Sequence, residues 1–276
     1  MKDCATHFLF NPYGTHSLEG SLDLEIMKEL SYHNALQCQF LVLWQLWKAY
    51  DLLVFLFQYR CPKLVDWFVA VTNIQTAPLS RNYIFNTCAK LDSVESTLLY
   101  KLQNSKPSLQ PTDIAAECMD DMAAGVDTVG DALCFLMYQI SLPDFSYVQQ
   151  KLFQEFQKTP NLPVDQLEYL DAVVKEALRC FPPIPMSQPR RVPEGGRTIS
   201  GCFIPAGTIV SCQAYSVHRL NENVFPDGEK FVPERWLETD SSKDINRYFF
   251  AFGAGSRGCT GKQWVVSILF KWYILY

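Results

Sequence analysis

Apolar side chains recur every three to four positions over several stretches of the chain, the spacing of helices with one buried face. Leu22, Ile26, Leu30 and His33 follow it, with Ser21 as a candidate N-cap. A strongly apolar helix is expected over 37–59, stopping before Pro62. Another is expected over 81–103, with Ile84, Cys88, Leu91, Leu98 and Leu102 on one side. A polar linker, 104–111, holds two prolines. The longest helix follows, with Thr112 as N-cap, Asp113 at the positive end of the dipole and the pattern continuing to Ile140. About 28 residues at 1.5 Å each give roughly 42 Å. Pro143 ends it; helices over 147–158 and from Leu167 to the Pro182-Pro183 pair come next. Period-two stretches at 198–204 and 208–214 predict two strands joined at Ile204-Pro205-Ala206-Gly207, a type I turn. The pattern describes a mainly α fold with a small β portion.

Composition narrows the class. The chain has 276 residues, 48% of them hydrophobic and 14% aromatic, enough to bury a sizeable core. A net charge of −5 argues against a nucleic-acid partner. The four histidines, His7, His16, His33 and His218, show no metal-ligand spacing. The ten cysteines are irregularly spaced without a Cys-x-x-Cys, and no signal peptide opens the chain, so reduced thiols in a cytosol-facing protein are expected. The apolar stretch 40–59 is broken by Lys48 and Asp51, too short for the roughly 18 residues of a membrane span. It reads as a buried or membrane-grazing helix.

The densest chemistry lies at Phe252-Gly-Ala-Gly-Ser-Arg-Gly-Cys-Thr-Gly261, where four glycines surround Cys259. A packed core has no need of so many glycines, whereas a tight loop that aims backbone amides at a bound group does. Amides pointed at a sulfur stabilise thiolate, the metal-binding form. The other possibility is a Gly-rich surface loop with a free thiol.

Upstream, the long helix carries Ala123-Ala124-Gly125-Val126-Asp127-Thr128 in its middle. A mid-helix glycine costs about 1 kcal/mol relative to alanine, so it marks a close approach, to a ligand or to another helix. An acid beside an alcohol can relay protons. Glu176 and Arg179 lie three apart on one helix face and can pair.

The cysteine segment resembles the heme-binding loop of the cytochrome P450 family, Phe-x-x-Gly-x-Arg-x-Cys-x-Gly, at Phe252, Gly255, Arg257, Cys259 and Gly261. Ala124, Gly125, Asp127 and Thr128 resemble that family's oxygen-activating helix, with Val129 where many members carry a second hydroxyl residue. Glu176-Ala-Leu-Arg179 and Pro233-Glu-Arg235-Trp resemble its Glu-x-x-Arg helix and the later loop whose arginine completes a buried ionic cluster. By its offset from the strands, Arg191 resembles the arginine that pairs with a heme propionate, Arg257 a second, and Arg190 is read as a solvated surface charge. These motifs stand in the family's order.

The resemblance implies a heme-thiolate monooxygenase of the microsomal, fungal type. Heme b (iron protoporphyrin IX) would take its axial thiolate from Cys259, with Phe252, Gly255, Gly261, Ala124, Gly125, Arg257 and Arg191 around it. Asp127 and Thr128 would deliver protons. Electrons would come from an NADPH-dependent cytochrome P450 reductase, and one oxygen atom of O2 would enter an apolar small molecule. Residues 1–276 are expected to form one incomplete P450 domain, without the membrane anchor, early helices, most of the sheet and the final strands. Full-length relatives would sit on the cytosolic face of the endoplasmic reticulum membrane. Beyond Cys259, Val265 and Ile268 depart from the family pattern. Two alternatives remain: a truncated remnant that does not hold heme stably, and a P450-fold enzyme that rearranges peroxides, against which Asp127 and Thr128 argue.

Overall fold

The computed structural model describes residues 2–17, 22–26, 28–29, 78–90, 92–237 and 242–275. It is mostly helical with a small antiparallel β portion. The chain forms two compact units, Met1–Asp127 and Thr128–Tyr276, and the division falls inside the longest helix.

In the first unit, α1 (Lys2–Phe10), α2 (Pro78–Cys88), α3 (Leu98–Gln103) and the first half of α4 (Pro111–Ser141) are defined, and α1 packs on α3. Residues 22–26 and 28–29 are also helical; Leu30, His33 and the helix expected over 37–59 lie outside the described residues. The Glu29 carboxylate accepts from the Ser80 amide at 2.8 Å and the Ser80 hydroxyl at 2.9 Å, serving donors that the first turn of α2 leaves unpaired. Phe10, Ile84 and Leu99 are fully buried.

The single helix expected over 81–103 is two. Thr97 caps α3 by accepting from the Tyr100 amide at 3.3 Å, so the chain turns before it. The Gln103 amide donates to the carbonyls of Cys88 (3.1 Å) and Lys90 (2.8 Å), pairing acceptors at the end of α2. These side-chain bonds compete with helix continuation, which periodicity does not register. In α4 the buried positions Ile114, Cys118, Met122, Val126, Val129, Ala132, Leu136 and Ile140 make the three-to-four spacing visible along one face.

In the second unit, α5 (Ser146–Lys158) is followed by α6 (Glu168–Cys180), β1 (Ser187–Arg191), β2 (Arg197–Ile199), β3 (Cys202–Ile204), β4 (Ile209–Gln213), α7 (Ala214–Val217), α8 (Ser242–Tyr248) and α9 (Lys262–Leu275). Glu155 of α5 accepts from the Tyr169 (2.7 Å) and Leu170 (3.0 Å) amides, tying α5 to the start of α6. A core of Ala172, Val224, Phe225, Trp236 and Ile245, with Phe249 against it, holds the segments that follow α6.

The strands pair differently from the expected hairpin. β4 pairs antiparallel with β1, Arg190 opposite Val210 and Arg191 opposite Ile209. β2 and β3 form their own two-stranded hairpin. Ser200 and Gly201, at φ of +49° and +81°, break the expected first strand into a two-residue turn of the kind favoured in tight hairpins. The turn into β4 has Gly207 at φ +81° with the Thr208 amide bonded to the Pro205 carbonyl, so glycine is needed at its third position instead of closing a type I turn.

Candidate functional site

Glu176 and Arg179 sit one turn apart on α6, and both are 0% exposed. Eight of the helix's other residues are apolar and buried, and its buried face carries this pair into the core. Glu176 Oε1 accepts from Arg179 Nη2 (2.9 Å), Arg235 Nε (3.1 Å) and the Val232 amide (2.8 Å). Its Oε2 accepts from Arg179 Nε (2.8 Å) and Trp236 Nε1 (2.9 Å). Arg179 also donates to the carbonyls of His218 (3.1 Å), Gly228 (2.6 Å) and Lys230 (2.8 Å), and Arg235 to that of Pro226 (2.8 Å). Burial would lower the Arg179 pKa, yet it is raised because the Glu176 bonds outweigh that cost. One carboxylate thus gathers α6 and the 226–236 segment around a single point.

His218, which ends α7, joins this cluster to the cysteine loop. Its ring is 0% exposed, with Nδ1 3.1 Å from the Arg179 carbonyl and Nε2 2.8 Å from the Phe250 amide nitrogen. An amide can only donate, so Nε2 accepts and Nδ1 carries the proton to the carbonyl. Burial pushes the ring's pKa down to about 4, so it is neutral at pH 7. Sequence reasoning counted His218 only among histidines without metal spacing; its role depends on partners 39 and 32 residues away.

The loop itself is folded back on its own backbone. The Cys259 amide donates to the Phe252 carbonyl at 2.8 Å, and the Gly253 amide to the Phe250 carbonyl at 3.0 Å. Gly253 and Gly255 adopt φ of +66° and +67°, the left-handed region that suits glycine. A Cβ on Gly261 would lie 3.9 Å from Cys259 Sγ. The Phe252 ring packs near Phe249 and lies under Lys262 Nζ, 5.6 Å from the ring centre. Cys259 is exposed and stands three residues before α9. By contrast, Cys180 is buried and its thiol is pushed up to about 12 by burial, and Cys118 is raised by its hydrogen bond with Cys88 and by burial.

Beside the loop, a cavity of about 540 Å³ is lined by residues that include Arg190, Arg257, Gln188, Phe250 and Ala254. Arg191 is not among the residues that line this cavity. Residues alternate sides along a strand, so Gln188 and Arg190 share the face that borders the cavity and Arg191 takes the other. Neither Arg190 nor Arg257 has a carboxylate partner among the described residues.

On α4, Asp127 and Thr128 are half-buried, Gly125 is half-buried and Ala124 is exposed. Asp127 ends the first unit and Thr128 begins the second. Val265 and Ile268, the departures from the expected pattern, are buried on α9 and serve packing.

An exposed cysteine on a loop beside two arginines can hold a metal-centred group that bears negative charge. Among the described residues no three His, Cys, Asp or Glu side chains converge as metal ligands. The two arginines beside the loop, neither with a carboxylate partner among the described residues, match a group carrying negative charge.

Comparison with known proteins agrees. The family model for Cytochrome P450 matches residues 1–264. The chain is 40% identical over 146 residues to Cytochrome P450 monooxygenase orf2 of Aspergillus niger, covering 51% of this chain and 29% of that protein. It is 34% identical over 191 residues to Cytochrome P450 monooxygenase ORF11 of Penicillium roqueforti, covering 66% and 39%. It is 32% identical over 209 residues to Cytochrome P450 monooxygenase cpaH of Aspergillus oryzae, covering 71% and 40%. The aligned regions thus span less than half the length of these curated relatives.

Proposed function

The chain belongs to the cytochrome P450 family, and we propose that it forms the heme-binding part of a heme-thiolate monooxygenase acting on an apolar small molecule. The observation that carries this reading is the folded-back loop that presents an exposed Cys259 three residues before α9, beside Arg190 and Arg257. Residues 1–276 are read as one part of a single P450 domain.

When bound, heme b supplies one-electron and dioxygen chemistry, with thiolate ligation favouring O–O cleavage. The residues of this chain bind and orient it. Cys259 would be the iron ligand, on a loop whose amides bond back to its own carbonyls. Arg257 and Arg190, which line the cavity beside the loop, would pair with the propionates, with Arg191 one residue further along β1 as the candidate from motif offset. Gly261 keeps a side chain away from the sulfur, Gly255 lets the loop take a positive φ, and Phe252 packs beside the loop. Ala124 and Gly125 leave room along α4. Asp127 and the Thr128 hydroxyl, an acid and an alcohol side by side in the sequence, would deliver protons. Glu176, Arg179 and Arg235 do no chemistry; they fix the segments that lead into the loop.

Electrons come from an NADPH-dependent cytochrome P450 reductase, and the full-length protein sits on the cytosolic face of the endoplasmic reticulum membrane. Among the described residues, no helix is long and apolar enough to cross a membrane; residues 40–59 lie outside them.

The test is the ferrous–CO spectrum of a full-length form. The red-shifted Soret band of thiolate ligation should be present in the wild type and absent in Cys259→Ser. Survival of the band in the variant would assign the ligand to another cysteine and overturn the reading.

A further inference from the structure

We propose that His218 is a positioning residue for the Cys259 loop, its neutral ring linking the buried ionic cluster to the first residues of the loop. The significance of that loop rests on the reading of Cys259 above; the link itself stands on the geometry alone.

Arg179 holds His218 twice. Its guanidinium donates to the His218 carbonyl at 3.1 Å, and its own carbonyl accepts from the ring at Nδ1, also at 3.1 Å. The ring is also wedged between aromatic neighbours. Phe249 stacks on it at 5.7 Å with planes 18° apart, and Phe225 meets it edge-on at 5.9 Å. Turning the ring would displace both. With orientation and tautomer fixed, Nε2 points at one donor, the Phe250 amide.

From Phe250 the register passes along the backbone. The Phe250 carbonyl takes the Gly253 amide, and two residues after Phe250 the Phe252 carbonyl takes the Cys259 amide. A ring that stops accepting would leave the part-buried Phe250 amide unpaired at the root of these turns. Packing alone would be served by phenylalanine at 218, which fills the same slot. It would not be served by two nitrogens with opposite hydrogen-bonding roles.

The device is sensitive to acid. An imidazolium cannot accept, so protonation breaks the Phe250 bond. Burial, with the Arg179 and Arg219 charges, disfavours the imidazolium, while Glu176 and the Arg179 carbonyl favour it; the Phe225 and Phe249 segments present rings. The net effect lowers the folded-state pKa to about 4. A lowered histidine pKa means the link is fully present above the unfolded value of about 6.5 and is lost as pH falls through about 4.

Amide hydrogen exchange of the heme-free chain, resolved to peptides, tests this. In His218→Phe, exchange across the segment from Phe250 to Cys259 should quicken about tenfold or more, with the α6 peptide little changed. His218→Gln, whose amide oxygen reaches near the Nε2 position, should restore most of the protection. His218→Asn, which keeps only a donor near Nδ1, should not. In the wild type, protection of the segment, corrected for intrinsic rates, should fall roughly 30-fold from pH 8 to pH 5, the ratio expected for ring pKa values of about 4 closed and 6.5 open. If His218→Phe does not fold, the Gln–Asn comparison and the wild-type pH series decide. Equal protection in Asn and Gln variants, or a wild-type segment indifferent to pH over this range, would overturn the proposal. Because no heme is involved, such a failure leaves the Cys259 reading to its own spectrum.

Discussion

Replacing Glu176 by glutamine removes one charge and almost no volume, so the consequences follow from the hydrogen bonds. The carboxylate accepts from five donors: two on Arg179, one each on Arg235, Val232 and Trp236. Glutamine offers one oxygen. If its NH2 replaces Oε2, Arg179 Nε and Trp236 Nε1 meet a donor; if it replaces Oε1, Arg179 Nη2, Arg235 Nε and the Val232 amide do. Either way two guanidinium ions stay buried without a counter-charge, at 0% and 7% exposure. Breaking a buried pair in this way costs about 3–5 kcal/mol, a large part of the 5–15 kcal/mol typical of a folded domain.

Urea denaturation followed by tryptophan fluorescence is the assay, since Trp236 is itself a member of the cluster. With an m value of about 1–3 kcal/mol per molar urea, the midpoint should fall by at least about 1 M, or the variant should fail to fold. Glu25→Gln is the control: its partner Lys28 lies at 2.8 Å, but both side chains are more than half exposed, and the shift should stay within about 0.5 kcal/mol. Apolar replacement of Glu176 and Arg179 together should not rescue the loss. Arg179 also serves the carbonyls of His218, Gly228 and Lys230, which would then lack donors. A Glu176→Gln loss under about 1 kcal/mol would refute the view that this carboxylate organises the site.

Two further outcomes are expected in a full-length form. Thr128→Ala should divert NADPH consumption from product to hydrogen peroxide with heme content unchanged, and unaltered coupling would remove Thr128 from proton delivery. Arg190→Leu should weaken heme retention measurably, as seen by transfer of heme to an excess of apomyoglobin, while Arg191→Leu should not; the reverse order would restore the assignment made from motif offset.

Sequence alone determined what short-range physics decides. Helical periodicity marked α4, α5 and α6 because one buried face repeats at every turn, and prolines marked the ends of α4 and α6. The cysteine loop was legible because its glycines, arginine and thiol lie within ten residues. The break between α2 and α3 was not, since it depends on Gln103 reaching back to Cys88 and Lys90. Which side of β1 faces the cavity was decided by pairing with β4, so that Arg190 lines it and its neighbour Arg191 does not. The partners of Glu176 in the 232–236 segment lie 56 to 60 residues away, and those of His218 lie 39 residues before and 32 after it. A histidine's tautomer and a carboxylate's burial are set by atoms brought together only when the chain packs. Arg179 lies three residues from Glu176 and was legible as its partner, but nothing within a few residues of His218 specifies its partners, so only the tertiary structure could.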